Sequence, residues 1–444
     1  MKQKKVGIVG GGVGGLALAC LLAERGRAVT LYERRVPGGK LGRAFPGGVT
    51  VSTGPSLFTF PGVWRRVLSR LGEADPLDLR LLPGLGVHVV RGERIVLPVP
   101  ESHPLFAHWA RYEAEVAPLA PHVETLLTTP PGLANPRFLR ASAALARVIG
   151  PHLTAARWLA ARRFSPALED ALALHALNAG VGPKAGSALY ALLPGLIARE
   201  VYRPKRGMFA LVGALTRFAE ARGVILRSDT PVSRINADRG EVHLGGEVQR
   251  HDVLVSAIDP ARLAALLGRA SPAAPLTVSG VALYALPASP TGLAPTTVVA
   301  PDDLAAFEAA MRVRAVPRDT LALVHDFGDH LAVLLAAPPN GKKLGLDHPW
   351  VRGQLARLET LIGLPPLRDA LALTPADYAQ GGAPGGALYG RAFPAWRSGP
   401  FHPEPYRPTS RLWQVGTGVH PGGGLPAVLG SALIVDELME REAG

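Results

Sequence analysis

The stretch that most constrains this chain lies close to its start, where Lys5-Val6-Gly7-Ile8-Val9 runs into Gly10-Gly11-Gly12-Val13-Gly14-Gly15-Leu16. It reads as a short buried strand, a glycine turn and a helix. Gly10, Gly12 and Gly15 fall at the G-x-G-x-x-G spacing. The first allows the tight turn, the second lets a pyrophosphate reach the backbone, and the third packs helix on strand. The helix continues from Leu16 to Arg25 and meets Gly26, a natural left-handed stop. A second strand, Ala28-Val29-Thr30-Leu31-Tyr32, ends on Glu33, where an acid that takes a ribose hydroxyl is expected. Glycine spacing alone is a weak signal. With strand, helix, stop, second strand and acid in order, it specifies a dinucleotide-binding βαβ unit.

A secretory leader is the competing reading, because Lys2, Lys4 and Lys5 precede an apolar run that ends in Ala19-Cys20. Five of the six residues from Gly10 to Gly15 are glycine, which a leader helix tolerates poorly, and no small-x-small site precedes a polar start. The N-terminus is therefore expected to fold.

At 444 residues the chain holds two to three domains' worth of core. Its 48% hydrophobic and 19% charged content describes a globular protein with an apolar surface or a large apolar cavity. A single cysteine, Cys20, excludes a disulfide framework, fits a reducing compartment, and sits in the first helix as packing. No uninterrupted run of 18 apolar residues suggests a spanning helix. The net charge of +13 asks for an anionic partner. Nucleic acid is disfavoured, since aromatics are only 6% and no recognition motif accompanies the charge. An anionic membrane surface fits better, and an arginine-rich composition accounts for part of the excess.

Beyond Glu33, the glycines Gly38 and Gly39 beside Lys40 and Arg43 offer close backbone approach plus cations. A strand entering a turn at Thr53-Gly54-Pro55 and a helix from Pro61 to Leu71 follow. Residues 86–90 and 94–97 form a hairpin. Residues 104–198 read as almost wholly helical, with prolines as breaks. Arg140, Arg147, Arg157, Arg162 and Arg163 punctuate an Ala/Leu background there, the pattern of a basic amphipathic helix pair on a membrane interface or of a solvated arginine face. From 202 the α/β pattern returns: a helix over 209–222, strands at 224–226, 231–235, 241–244, 248–250 and 253–257. Strands at 278–285, 320–325 and 330–335 alternate with helices at 302–311 and 351–362. A strand from Leu412, a glycine loop and a helix over 427–440 close the chain.

These residues carry a resemblance. The N-terminal block through Arg43, the Thr53-Gly54-Pro55 turn, Gly207-Met208, Ala257 to Pro260, Tyr389-Gly390, and above all His420-Pro421-Gly422-Gly423-Gly424-Leu425-Pro426 occur in this order in carotenoid desaturases. The sequence resembles the bacterial phytoene desaturase type of the FAD-dependent, amine-oxidase-like superfamily. Residues 104–198 and much of 275–385 carry no matching motif.

The resemblance implies an α/β architecture: a discontinuous Rossmann-like FAD-binding domain (1–85, 202–272 and 405–444) with an inserted substrate domain. The insertion would comprise a mixed sheet with helices (86–103 and 273–404) and a helical, membrane-facing part (104–201). It implies FAD as the cofactor. Gly10, Gly12, Gly14 and Gly15 would hold the pyrophosphate and Glu33 the adenosine ribose, with Arg34 beside it. Gly39, Lys40, Arg43, Thr53, Gly54 and Pro55 would lie near phosphates or flavin, and Val232 would meet adenine through its backbone. Gly416, Thr417, Gly424, Leu425 and Pro426 would embrace the flavin end.

Desaturation would send a hydride from an allylic C–C bond to flavin N5 and a proton to a base or water. No metal is implied. His420 is a candidate proton acceptor or an orienting residue of the loop, and Tyr389, Arg206 and Arg391 are candidates to line the channel. The substrate would be a long apolar polyene entering from an anionic membrane, with the protein cytoplasmic and peripheral to the inner face. Oxygen or a quinone would take the electrons. Three positions depart from the family pattern: Ser52 stands where many members have an acid, Arg206 where a glycine is usual, and Ala427 likewise. A polyene isomerase, a ketolase, an amine oxidase and a non-enzymatic lipid escort share the fold. The retained glycine set argues against the escort, and the lack of an aromatic pair in the C-terminal block argues against the amine oxidase.

Overall fold

The computed structural model describes residues 3–271, 273–398, 402–403 and 405–442. Lys2, which entered the leader reading, and the boundary at 272 lie outside the described residues. At the centre of one half is a five-stranded parallel sheet in the order Leu412–Gln414, Val253–Ser256, Lys5–Val9, Ala28–Tyr32, Ile225–Arg227. Its strands come from three separate stretches of chain. Strands buried on both faces read as continuous apolar runs, and Val6, Ile8, Leu31, Leu254 and Val255 are accordingly inaccessible.

The helix Val13–Glu24 is buried along almost all of its length, from Val13 to Leu22. It is packed between the helices Ala210–Ala221 and Leu425–Arg441. A helix covered on all sides has no need of a polar face, which is why its sequence is Leu-Ala-Leu-Ala-Cys-Leu-Leu-Ala. Cys20 lies inside this contact, its Sγ against Leu215 O at 3.3 Å, and burial pushes its thiol up to about 12. It is packing, not a nucleophile. Gly26 ends the helix at φ 75°, with Arg27 N–H donating back to Leu22 O at 3.0 Å. The closing helix is pinned by a bidentate pair, Arg25 to Asp436, at 2.6 and 2.9 Å.

A seven-stranded mixed sheet forms the other half, in the order Leu367–Leu373, Ser279–Pro287, Leu331–Ala337, Ala322–Asp326, Thr296–Val299, Gly86–Val90, Glu93–Leu97. All pairs are antiparallel except Thr296–Val299 with Gly86–Val90. The early hairpin thus joins strands some 200 residues later. One face of this sheet, with Val281, Val324 and Val333, packs on the helix Pro349–Ile362. The strands Thr296–Val299 and Leu367–Leu373 are additions to the sequence reading. The first is only four residues long, and the second is a half-exposed edge with little apolar alternation. Conversely, the strand expected from 231 begins only at Arg234.

Residues 104–198 are helical as expected, in six α-helices from Phe106–Val116 to Ala188–Ile197. Asn135, Thr154, Ser165 and Ser187 cap four of them through their side chains. Trp109, Tyr112, Trp158 and Phe164 form the aromatic centre of this bundle, with Tyr112 Oη donating to Ala191 O at 2.8 Å. Arg140, Arg147, Arg157 and Arg163 are exposed, together with Leu133, Leu139 and Leu153. Arg162 departs from that face. It turns inward to Glu115 and stacks on Trp158 at 3.6 Å.

Candidate functional site

Between the two sheets lies one continuous cavity of about 1310 Å³. One arm runs past the glycine turn of the parallel sheet. The other runs along the free face of the mixed sheet.

The glycines of the first arm do three different things. Gly10 has φ 110°, and a Cβ there would meet Ile258 Cγ2 at 2.8 Å. At Gly15 a Cβ would sit 2.1 Å from Gly10 O, so only glycine lets helix meet strand. Gly12 is different: its φ of −71° suits any residue, and a Cβ would meet nothing within 4 Å. No demand of the protein itself makes it glycine, and it borders the cavity. Gly14 packs against Val428 of the closing helix, which draws two helix N-termini together. Gly39 comes so near that its Cβ would stand 3.2 Å from Gly12 Cα.

Both helix N-termini open on this arm. The helices Val13–Glu24 and Leu425–Arg441 have glycine N-caps, Gly12 and Gly424, with no side-chain cap and no acid in the first turn. Their orphan N–H groups and dipoles make an anion cradle. A Cβ on Gly416 or Gly424 would likewise meet nothing within 4 Å. Gly416 N–H donates to Ser431 Oγ at 2.9 Å, which fixes the loop on the closing helix.

Glu33 Oε2 accepts from Gly11 N–H at 2.7 Å and Oε1 from Arg35 N–H at 3.1 Å, so the acid is held at the end of its strand. Arg34 donates to Gln380 O at 2.8 Å. The backbone of Val232 pairs with no other described residue, and the residue lines the same arm. Lys40 donates to Leu388 O. Its sides are enclosed by protein while its free surface opens on the cavity, and burial holds its ammonium below the usual lysine range. Asp259, also on the cavity, caps the helix Pro260–Leu266 through Ala261 N–H at 2.8 Å, and burial raises its carboxyl. Arg43 stacks over Phe209 at 4.6 Å. Thr53 Oγ1 accepts from Gly42 N–H at 3.1 Å, Gly54 N–H donates to Tyr284 Oη at 2.9 Å, and Pro55 completes the turn. Thr417 and Leu425 border the cavity. Pro426 takes its place in the first turn of the closing helix, where a missing N–H costs nothing.

The second arm is lined by aliphatic side chains in cross-strand rows: Leu321 with Ala336, Leu323 with Leu334 and Ala282, then His325 with Ala332 and Tyr284. Tyr389 borders both this cavity and a smaller neighbouring pocket, its ring against Gly423, and burial raises its phenol.

Of the candidate catalytic and channel residues, Arg206, His420 and Arg391 do not line this cavity. Arg206 is exposed and donates to Pro76 O at 3.4 Å, outside the cavity. His420 is buried beside the loop, with Nε2 against Leu126 O at 3.0 Å, so it ties the glycine loop to the helix Ala120–Thr128. Arg391 borders a smaller neighbouring pocket. Ser52, where an acid is usual, accepts from Phe209 N–H at 3.0 Å and so caps the turn before the helix Ala210–Ala221. Tyr284 and His325 escaped the sequence reading, and Asp259 was met there only within the Ala257 to Pro260 block, with no role assigned to it.

An NAD(P)-binding Rossmann-like domain matches residues 8–71. Hydroxyneurosporene desaturase of Rubrivivax gelatinosus is 30% identical over 99% of this chain and 94% of its own length. The chain belongs to the carotenoid desaturase family. The zeta-carotene-forming phytoene desaturase of Myxococcus xanthus, another member, is 28% identical over 98% of this chain and 93% of its own. Among solved structures, cyclohexylamine oxidase of Brevibacterium oxydans superposes over all of both chains with a TM-score of 0.63 at 17% identity, a likeness of fold. Family membership makes this protein an oxidoreductase that desaturates a carotenoid. It also accounts for a cavity with a dinucleotide arm and an aliphatic arm.

Proposed function

We propose that the protein binds FAD in the glycine arm and desaturates an acyclic carotene held in the aliphatic arm. The observation that carries this is the continuity of the two arms in one cavity. The glycine arm fits the group: Gly12, Gly416 and Gly424 leave open space at two uncapped helix N-termini, as a pyrophosphate and a ring that gains negative charge on reduction require. Glu33 would take the adenosine ribose and Val232 the adenine edge. When bound, FAD supplies the hydride acceptor that no side chain can provide.

The chain's own residues then have three tasks. The rows of Leu321, Leu323, Leu334, Ala332 and Ala336 hold an extended polyene so that the C–H bond that gives up hydride is aligned with the glycine arm. Tyr389, its ring set against Gly423 of the closing loop, gives the cavity wall a fixed surface beside the glycine arm. Lys40 and the N-terminus of the helix Leu425–Arg441 stabilise negative charge on the cofactor side. His420 is an orienting residue of the loop in this reading, and the proton leaves to water.

The names of the relatives cover both hydrocarbon and hydroxylated carotenoids. Among the described residues no helix is long and apolar enough to cross a membrane. The exposed Leu133, Leu139 and Leu153 lie among Arg140, Arg147 and Arg157, which supports a peripheral seat on an anionic bilayer. We place the protein on the cytoplasmic face, passing electrons to oxygen or a quinone. The chain division at 1–85, 202–272 and 405–444 for FAD, with the rest for substrate, belongs to the same proposal.

The test is expression in cells that accumulate acyclic carotenes, with flavin analysis of the purified protein and chromatography of the pigments. One FAD per chain and products with added double bonds are expected. Protein that stays flavin-free after reconstitution, or carotenes left unchanged, overturns the proposal.

A further inference from the structure

His325 sits at the end of the aliphatic arm, in the row with Ala332 and Tyr284, and is 6% exposed. Its Nδ1 is fully engaged. Arg203 Nη2 donates to it at 3.3 Å, and Thr296 Oγ1 lies 3.1 Å away. Thr296 accepts from the same guanidinium at 3.4 Å, so its own hydroxyl proton is directed at the imidazole. Arginine has no acceptor to offer, so Nδ1 must be unprotonated and the neutral ring carries its proton on Nε2. Turning the ring over would set a C–H against the guanidinium, which excludes the flipped placement.

Arg203 cannot move away. It is held by Pro295 O at 2.5 Å, Asp326 O at 2.7 Å and Ser56 O at 3.3 Å, and stacks on Phe327 at 4.2 Å. Burial and this cation together push the His325 imidazolium down to about 3, so the ring stays neutral at any ordinary pH and is a poor proton acceptor. Its Nε2 makes no hydrogen bond in the structure, although the ring borders the cavity. A fixed N–H thus faces space whose adjoining rows are aliphatic, with the Tyr284 hydroxyl two strands away and already engaged by Gly54 N–H. A hydrocarbon would leave that donor unpaired, at a cost the surrounding cavity does nothing to offset.

We propose that His325 is a specificity-determining residue whose Nε2–H binds an acceptor oxygen (hydroxyl, ether or carbonyl) carried by the polyene substrate. The proposal rests on the reading of the aliphatic arm as the polyene site. It places the oxygen-bearing end near the turn formed by Thr53, Gly54, Pro55 and Ser56. Ser56 O anchors Arg203, and Gly54 N–H anchors Tyr284, two strands or about 10 Å from His325.

The test compares two acyclic polyenes of equal length, one ending in a tertiary hydroxyl and one without oxygen, on FAD-loaded protein. Wild-type kcat/KM is expected to favour the hydroxylated polyene by about tenfold or more, since a buried donor built for an oxygen rejects the analogue lacking it. His325→Leu should bring the ratio to within about twofold of one, mainly through KM for the hydroxylated polyene. His325→Gln, whose amide N–H reaches the position of Nε2, should restore part of the preference. Equal turnover of both polyenes by wild type overturns this proposal alone. So does an unchanged ratio in His325→Leu. Failure of flavin-loaded wild type to desaturate either polyene overturns the polyene reading and this proposal with it.

Discussion

The two arms of the cavity are made of opposite materials. The nucleotide arm is built from backbone: glycines that let chain approach chain, and N–H groups left open at two helix ends. The aliphatic arm is built from side chains on alternate positions of a mixed sheet, and almost any apolar residue of the right volume would serve at each. A backbone site tolerates few sequences, while a greasy channel tolerates many. That difference decides which residues can be changed without harm and which features show in a sequence.

The contrast is sharpest inside the glycine turn, where two residues three apart should fail in different ways. Gly15→Val places carbon where Gly10 O already stands, 2.1 Å from the first added atom. It should cost more than about 3 kcal/mol by overpacking and yield little folded protein, as circular dichroism and melting would report. Gly12→Ala adds a methyl to open space. Its melting temperature should stay within about 2 °C of wild type when both are flavin-free, because a change of ~0.5 kcal/mol at an N-cap is all that is asked. Bound flavin should nevertheless fall about tenfold. If Gly12→Ala retains full flavin, the backbone is not what meets the cofactor there.

The aliphatic arm should show the converse. Leu334→Trp fills the middle row between Leu323 and Ala282. Flavin content should remain, while carotene desaturation drops by about tenfold or more as the channel narrows, measured by pigment chromatography on flavin-matched samples. Loss of flavin in this variant would show that the arms are not separable. The smallest effect is expected at Glu33→Ala. It removes an acceptor for Gly11 N–H and for the ribose, a change of about 1 kcal/mol in each case. Flavin should wash out several-fold faster on dilution, and unchanged retention would move the ribose contact elsewhere.

The same asymmetry explains what the sequence disclosed. Gly10, Gly12 and Gly15 were readable because their spacing is imposed by covalent geometry, and the closing Gly416 to Pro426 loop for the same reason. The strands of the mixed sheet at 279–287 and 331–337 were found within two residues, yet their alternation does not say which face a cavity will border. His325 and Arg203 lie 122 residues apart and have no local pattern. They sit on strands of two different sheets, Tyr202–Pro204 and Ala322–Asp326, and only the packing of one sheet against the other brings imidazole and guanidinium together. Arg206 was misleading for a related reason. It drew notice by standing where a glycine is usual, but its side chain points to Pro76 on the surface and leaves Gly207, at φ 75°, to make the turn.

The central claim is that one cavity brings cofactor and polyene together. The most direct measurement mixes FAD-loaded protein with an acyclic carotene in liposomes under anaerobic conditions, following the visible spectrum and the extracted product. The account predicts loss of the oxidised-flavin absorbance, in step with one new double bond per flavin and a red shift of the polyene bands. Carotene that binds and stays unchanged while the flavin spectrum remains oxidised would contradict it.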